Sequence, residues 1–525
     1  MRLAGALLDH ALADAAQRAP EKTALVCGDR RASYAELETG SSALAHALRA
    51  LGLRRQQRVA ICLDNSVETV LALYATLKAA GVFVIVSPQV KGDKLAFIVA
   101  DCNAHALVIP ARQLSQMAVE LSACADLAHL VVADDVAALA PAAAGILALA
   151  GKTIHSLHAL LAEHPATAPA NPTISIDLAS LVYTSGSTGQ PKGVMLTHAN
   201  MTMAVRSLTT YLENRSDDVI LSPLPLAFDY GLYQVLMGVQ FGGTVVLEKQ
   251  FAFPYRYIEL IERERVTGLP IVPTISAILL NLKDLDRHDF SSVRYLTNTA
   301  QALPEHHVRR LRQMMPAARI YSMYGLTECK RVTYLPPELV DVKPASVGAA
   351  IPDTEVWLED ESGRVITEPG VTGELMVRGA HVMVGYWNRP EENARRLRPG
   401  RYPYERTLMT GDLFRQDEDG HLYFVSRKDD LIKTGGERVG PREVENVLYE
   451  LEAVKEAAVI GVPDDLLGSA IKAFVALRDD MALTEAEVIR HCQKRLERHM
   501  VPRHVAFVPA LPKTSTGKIS KRGLG

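Results

Sequence analysis

Ten consecutive residues, Thr184-Ser185-Gly186-Ser187-Thr188-Gly189-Gln190-Pro191-Lys192-Gly193, combine three glycines, four hydroxyl side chains and one lysine. So little side-chain bulk leaves many backbone N–H groups free. Those groups, the hydroxyls and the Lys192 ammonium can surround a polyphosphate. A strand-like run, Leu181-Val182-Tyr183, precedes the segment, as a phosphate loop requires. The spacing differs from the P-loop pattern GxxxxGK[ST], because Gly193 follows the lysine in place of serine or threonine. In isolation a Gly/Ser segment of this kind is a surface turn, so the case for phosphate chemistry depends on what accompanies it.

The loop needs a folded body to carry it. At 525 residues the chain is too long for one compact core, so two or more domains are expected. Hydrophobic residues at 48% and charged residues at 22% fit an ordinary globular protein. A formal net charge of -3 argues against a dedicated nucleic-acid binder, which is normally basic. It leaves room for a small anionic ligand, because local fields decide that. The cysteines, Cys27, Cys62, Cys102, Cys124, Cys329 and Cys492, form no CxxC pair and no Cys/His cluster. That points away from a zinc site or a disulfide framework and toward reduced thiols in a cytoplasmic protein. Near the N-terminus Asp9, His10 and Asp14 interrupt an apolar run, which reads as an amphipathic helix and not a secretory segment. Residues 136–150 are the longest apolar stretch, but Pro141 and Gly145 interrupt them and they are too short for a membrane span.

The elements that would position the loop alternate along the chain. Residues 58–63 read as a buried strand. Residues 66–80 have helical spacing, with Val67, Val70, Leu71, Tyr74 and Leu77 on one face. Gly81 stops that helix, and Val82-Phe83-Val84-Ile85-Val86 is a strand closed by Pro88. This is a βαβ unit, which implies a parallel sheet covered by helices. Leu107-Val108-Ile109 and Leu130-Val131-Val132 continue it, whereas residues 137–150 and 164–173 read as peripheral connections. Beyond the loop, Thr244-Val245-Val246-Leu247 and Arg319-Ile320-Tyr321 are further strand candidates. Residues 345–425 become strand-rich with Gly turns, as in Thr372-Gly373-Glu374-Leu375-Met376-Val377, and suggest a small β-lobe. Charges and glycines cluster at residues 426–440, as in a hinge. Past them, residues 457–462 and 473–477 read as strands, and Thr484 with Glu487 forms a capping box for a helix running toward Met500. No internal repeat is present.

Five segments, taken in order, resemble the adenylate-forming (AMP-binding) superfamily of acyl-CoA synthetases, aryl-CoA ligases, luciferases and peptide-synthetase adenylation domains. They are the loop itself; Tyr324-Gly325-Leu326-Thr327-Glu328; Thr410-Gly411-Asp412-Leu413; Ser426-Arg427-Lys428-Asp429-Asp430 with Lys433-Thr434-Gly435-Gly436-Glu437; and Pro512-Lys513-Thr514-Ser515-Thr516-Gly517-Lys518-Ile519. Together they span nearly the whole chain. The resemblance implies an α/β fold: a large N-terminal domain of parallel βαβ-type sheets plus a small β-lobe, and a small mobile α+β C-terminal domain. Residues 1–425 would form the first domain, 426–432 the hinge and 433–525 the second. It also implies roles. Thr184, Ser185, Gly186, Ser187, Thr188, Gly189, Lys192 and Gly325 would hold the phosphates and nucleotide. Tyr324 would stack on adenine, Thr327 would touch the α-phosphate, and Glu328 would hold Mg²⁺, for which a hard carboxylate oxygen is suited. Asp412 would accept both ribose hydroxyls with its two oxygens, and Arg427 would contact ribose and phosphate. Asp429 would be the hinge residue, Gly435 and Gly436 would approach the site for the thioester step, and Lys518 would be the mobile adenylation lysine. Ser426 departs from the family's usual glycine.

The implied reaction is that of an acid–thiol ligase. The substrate carboxylate attacks the α-phosphorus of Mg·ATP, pyrophosphate leaves, and an acyl-adenylate remains. A carboxylate is already a nucleophile, so positioning and charge neutralisation suffice without a general base. Closure of the C-terminal domain excludes water, and its rotation about Asp429 then admits a thiol that displaces AMP. No carrier domain follows Gly525 in this sequence, so the thiol is expected from coenzyme A or from the phosphopantetheine of a separate acyl or peptidyl carrier protein.

The acid is less constrained. In Leu226-Ala227-Phe228-Asp229-Tyr230-Gly231, Asp229 stands where many acyl-CoA ligases show histidine. In amino-acid-adenylating relatives an aspartate there pairs with the substrate ammonium. A buried carboxylate needs such a partner, or an internal one in Lys330 or Arg331. In Asn298-Thr299-Ala300-Gln301-Ala302-Leu303, side chains replace the family's glycines and should narrow the pocket to a small acid. Phe228, Asp229, Tyr230, Tyr233, Met323 and Arg331 are the candidate lining. The lean is to amino-acid activation and loading of a separate carrier protein; the alternative is a CoA ligase for a small or aromatic acid.

Overall fold

The structure is a computed structural model describing residues 6–185, 190–249, 251, 253–299, 303–434, 437–464, 467–513, 519–521, 523 and 524, with backbone only at 185, 429, 433, 437, 438 and 468. Two large sheets form its body. In the first, Leu178–Ser185, Val82–Ile85, Arg58–Ile61, Ala104–Ile109, His129–Val132 and Thr153–Ser156 lie side by side and parallel. Helices cover both faces, which is why all four residues of Val82–Ile85 are buried and the strand reads as an unbroken apolar run. The helix expected between the first two of these strands spans Val67–Lys78, with the Ser66 hydroxyl capping Thr69 N–H.

The second sheet carries Thr23–Cys27, Thr244–Leu247, Val219–Ser222, Gly268–Ile271, Tyr295–Asn298 and Arg319–Tyr324 in parallel. The helix Asp229–Phe241 lies buried along most of its length between the cores of the two sheets, with Tyr230 in one core and Tyr233 in the other. The β-lobe is antiparallel: Thr354–Glu359, Thr372–Gly379, Arg406–Gln416 and Leu422–Arg427 pair in succession. The small C-terminal domain has its own core, formed by Val454–Asp464, Gly468–Leu477 and His504–Phe507 under the helices Pro441–Tyr449 and Glu485–Gln493.

Two expectations from sequence need correction. Residues 137–150 are not a plain connection, because Pro141–Leu149 is helical with Ala143 and Leu147 turned inward. Alanine favours helix without needing a polar face, so the segment shows no period to read. The helix capped by Thr484 and Glu487 ends at Gln493, short of Met500. Cys492 is its last buried residue, and Lys494, Arg495, Glu497 and Arg498 have no apolar face to cover. Among the described residues no helix is long and apolar enough to cross a membrane.

The N-terminal helix Leu8–Arg18 is tied to the body through His198, 1% exposed, whose Nδ1 accepts from the Leu8 N–H at 3.3 Å. That bond requires the neutral ring, and burial pulls the imidazole down to about 4. Burial likewise pulls His381 down to about 4 and His307 to about 3. The folded rings therefore bind fewer protons than the unfolded chain between about pH 4 and the ordinary histidine value of about 6.5, so stability falls as pH drops through that window. Thermal melts from pH 7 to 4.5 should show a steadily falling Tm, and a His198→Asn variant should lose part of that slope. An unchanged slope would mean that His198 is not neutral in the fold.

Candidate active site

The candidate phosphate segment lies between two strands that pair with each other. Leu178–Ser185 and Pro191–Thr197 run antiparallel with Thr184 opposite Lys192 and Tyr183 opposite Gly193. A strand, and not a helix, therefore follows the segment. Gly186, Ser187, Thr188 and Gly189 lie outside the described residues, as does the Ser185 side chain. Lys192 forms an ion pair with Glu392, and its Nζ stands 5.8 Å from the centre of the Tyr386 ring. Tyr386 belongs to the short strand Gly385–Tyr386, which pairs with the far side of the same hairpin.

The second motif closes a tight turn at the carboxyl end of Arg319–Tyr324, the end at which open α/β sheets bind ligands. Val332 N–H donates back to the Tyr324 carbonyl at 3.0 Å. Gly325 is required here, since a Cβ would strike the Lys330 carbonyl and come within 2.9 Å of Arg331 Cα. Thr327 sits half-buried in the turn. Glu328 Oε1 accepts from the Tyr386 hydroxyl at 2.6 Å, and the Glu328 carbonyl accepts from Met383 N–H at 2.7 Å.

Asp412 comes from the β-lobe strand Arg406–Gln416. It is 5% exposed, and the preceding Gly411 has φ +70. The Tyr324 hydroxyl donates to Asp412 Oδ2 at 2.6 Å, and Arg427 Nε lies 3.5 Å from Oδ1. Burial pushes the Asp412 carboxyl up; the Arg427 guanidinium and the Tyr324 hydroxyl oppose it. Burial and this carboxylate push the Tyr324 phenol well above its ordinary value, so it remains a donor. Glu328, Tyr386, Arg427 and Asp412 line one cleft, with the Arg396 guanidinium donating to the Thr410 carbonyl at 2.7 Å along its wall.

The acid-side candidates divide. Tyr230 and Tyr233 are buried, and the Tyr230 hydroxyl bonds Thr297 at 2.7 Å. Met323 is buried and accepts from the Tyr211 hydroxyl at 2.9 Å; Phe228 meets Tyr230 edge-on at 6.2 Å. Of the two partners weighed for Asp229, the structure supplies the internal one. Lys330 Nζ lies 3.1 Å from Asp229 Oδ2 and 3.0 Å from the Asp229 carbonyl oxygen, at 4.6 Å from the centre of the Tyr233 ring. Asp229 also opens its helix, where a negative charge favours the N-terminal dipole. Asp229 therefore has a counter-ion within the protein. Burial pulls the Lys330 amine down to about 7, and Asp229 opposes that pull. Arg331 donates to Thr299 instead.

Lys518, Gly435, Gly436 and residues 300–302 lie outside the described residues, and so does the Asp429 side chain. The residues flanking the Lys518 segment, Lys513 and Ile519, face each other in an antiparallel bridge. Sequence reasoning missed Tyr386, Glu392 and Arg396. Tyr386 reaches Glu328 across 58 positions, and the only local hint is an aromatic pair beside Gly385.

Among the described residues, no side chain of the cleft pairs a nucleophile with a base. The groups instead suit holding a nucleotide while a substrate carboxylate attacks, which defines an ATP-dependent, AMP-forming ligase. The comparisons agree. Residues 12–387 match the AMP-binding enzyme family and residues 443–518 match the AMP-binding enzyme C-terminal domain. A long-chain-fatty-acid–CoA ligase from Bacillus subtilis (strain 168) is 32% identical over 98% of this chain and 94% of that enzyme. Tyrocidine synthase 2 from Brevibacillus parabrevis is 30% identical over 98% of this chain but only 14% of its own length. The crystal structure of the anthranilate CoA ligase AuaEII in complex with anthranoyl-AMP superposes with a TM-score of 0.87 at 27% identity, covering 98% of this chain and 95% of that one. The chain belongs to the AMP-binding enzyme family.

The turn after Tyr324 yields a direct test. Gly325→Ala should displace the Lys330–Arg331 backbone and destabilise the fold by about 1–3 kcal/mol. A melt compared with wild type, with and without ATP, checks this. A variant with unchanged Tm and unchanged ATP-induced shift would show that the close approach is absent.

Proposed function

We propose that the protein activates a small carboxylic acid as its adenylate and transfers the acyl group to coenzyme A. The single observation that carries the choice of acid over amino acid is the Asp229–Lys330 pair: the carboxylate expected to meet a substrate ammonium already has a counter-ion. The family supplies the adenylation chemistry, and the named relatives include CoA ligases.

In this reading the phosphates of ATP lie against the hairpin loop, and Lys192 exchanges Glu392 for phosphate oxygen. Adenine stacks on Tyr324. The ribose hydroxyls replace the Tyr324 phenol at Asp412, donating to its two oxygens while the Arg427 guanidinium continues to oppose the burial that pushes the carboxyl up. Thr327 contacts the α-phosphate. Glu328 suits Mg²⁺, being a hard carboxylate braced at one oxygen by a phenol. Bound there, the ion would neutralise phosphate charge. The acid's carboxylate attacks the α-phosphorus, and Lys518, brought by the C-terminal domain, offsets the charge on the reacting oxygens. Residues 426–432 then act as the hinge, with Asp429 at its centre and Gly435-Gly436 facing the cleft when the thiol enters.

Pyrophosphate exchange across a panel of short and aromatic acids and amino acids, followed by thioester formation with CoA, is the test. Exchange with amino acids alone, and no acyl-CoA product, would sink the proposal in favour of carrier loading. Tyr386→Phe removes the brace on Glu328 and should raise the Mg²⁺ concentration for half-maximal exchange roughly tenfold. Binding of Mn²⁺ in the presence of ATP, followed by electron paramagnetic resonance, should weaken in parallel. Equal metal binding by the variant would show that the phenol does not orient the carboxylate.

A further inference from the structure

Behind the nucleotide cleft, the charges do not cancel. Lys330 and Arg331 are adjacent buried cations, 3% and 2% exposed, and one carboxylate, Asp229, faces them. Lys330 takes that carboxylate and lies over the rings of Tyr233 and Tyr230 at 4.6 and 5.3 Å. Arg331 is left with a neutral hydroxyl, Thr299, and the face of Tyr230, whose centre is 5.3 Å from its Cζ. Among the described residues no carboxylate pairs with Arg331, and its Nε is buried without a hydrogen-bond partner. Two residues on, the Thr333 hydroxyl is buried and unpartnered in the same way. A planar fork of donors out of water with no counter-charge is costly, and it matches the geometry of a carboxylate.

We propose that Arg331 receives a second carboxylate carried by the substrate, so that the acid activated here is a small dicarboxylic acid. This rests on the ligase reading. The reacting carboxylate is a poor occupant for the fork. Bidentate pairing with a buried guanidinium would draw off the electron density with which it attacks phosphorus. Once it becomes the mixed anhydride with AMP it also loses its charge, and Arg331 would again lack a partner. A second carboxylate keeps its charge through both half-reactions. Lys330 is not the receiver, because Asp229 occupies it.

The test compares matched pairs in pyrophosphate exchange with the full-length protein: malonate, succinate and glutarate against their monomethyl esters and against propionate and butyrate. At least one diacid should exceed its monomethyl ester by about 100-fold in kcat/KM. Arg331→Met should bring that ratio near one, acting mainly on KM, and Arg331→Lys should restore only part of it. Should Arg331→Met fail to fold, as judged by its melt and by ATP binding, the wild-type ratio and Arg331→Lys decide the matter. Brisk exchange with monoacids and none above it with diacids would overturn this inference and leave the ligase reading standing. Absence of both ATP binding and exchange with every acid would overturn the two together.

Discussion

A carboxylate held out of water is the constraint around which the nucleotide end is built. Asp412 is tolerable in its buried position only because a phenol and a guanidinium reach it from two other strands. Those strands come from different sheets. Tyr324 ends a parallel strand of the second large sheet, and Arg427 ends a strand of the antiparallel β-lobe next to the one bearing Asp412. The packing of lobe against body is thereby registered at one polar contact. The same contact opposes the burial that pushes the carboxyl up, and the residue lines the cleft.

The turn from Tyr324 to Val332 places two chemistries back to back. Leu326 and Glu328 line the cleft shared with Asp412, while Lys330 and Arg331 turn into the protein toward the start of the helix Asp229–Phe241. The left-handed backbone at Lys330, φ +61, lets consecutive residues diverge in this way, and Gly325 lets the turn close upon itself. Opposite ends of one short segment thus face two separate surroundings, the cleft and the buried start of that helix.

Much of this was legible in the sequence where local chemistry is strong. The apolar run at Val82-Phe83-Val84-Ile85 and the capped helix after Ser66 are where periodicity places them, because burial on both sheet faces and an N-cap each leave a short-range mark. Tyr324, Asp412 and Arg427 were recognisable through their motifs, and the structure brings the three together. Legibility fails where a side chain's meaning is set by a distant partner. Asp229 leaned toward a substrate ammonium, with Lys330 or Arg331 as the other choice, since 101 positions hide its pairing with Lys330 from any local pattern. Tyr386 and Glu392 have no motif of their own, and each matters through Glu328 or Lys192. The alanine-rich helix Pro141–Leu149 escaped because its propensity carries no pattern.

The strand Gly385–Tyr386 has a further consequence. Its ladder to Pro191–Thr197 joins the base of the phosphate hairpin to the phenol that braces Glu328. Trp387 N–H extends the ladder by donating to the Gly193 carbonyl at 2.8 Å. The hairpin strand, Tyr386 and Glu328 are therefore joined in one frame, whereas Asp229 opens a helix and Lys330 and Arg331 follow a strand of the other sheet. Divergence among such enzymes can then proceed unevenly. Changes near Asp229, Thr299 and Arg331 leave that frame in place, while a change in the frame moves the hairpin strand and the phenol that braces Glu328 at once. The architecture thus couples the hairpin and the Glu328 brace while leaving the buried Asp229–Lys330 pair and Arg331 outside that coupling.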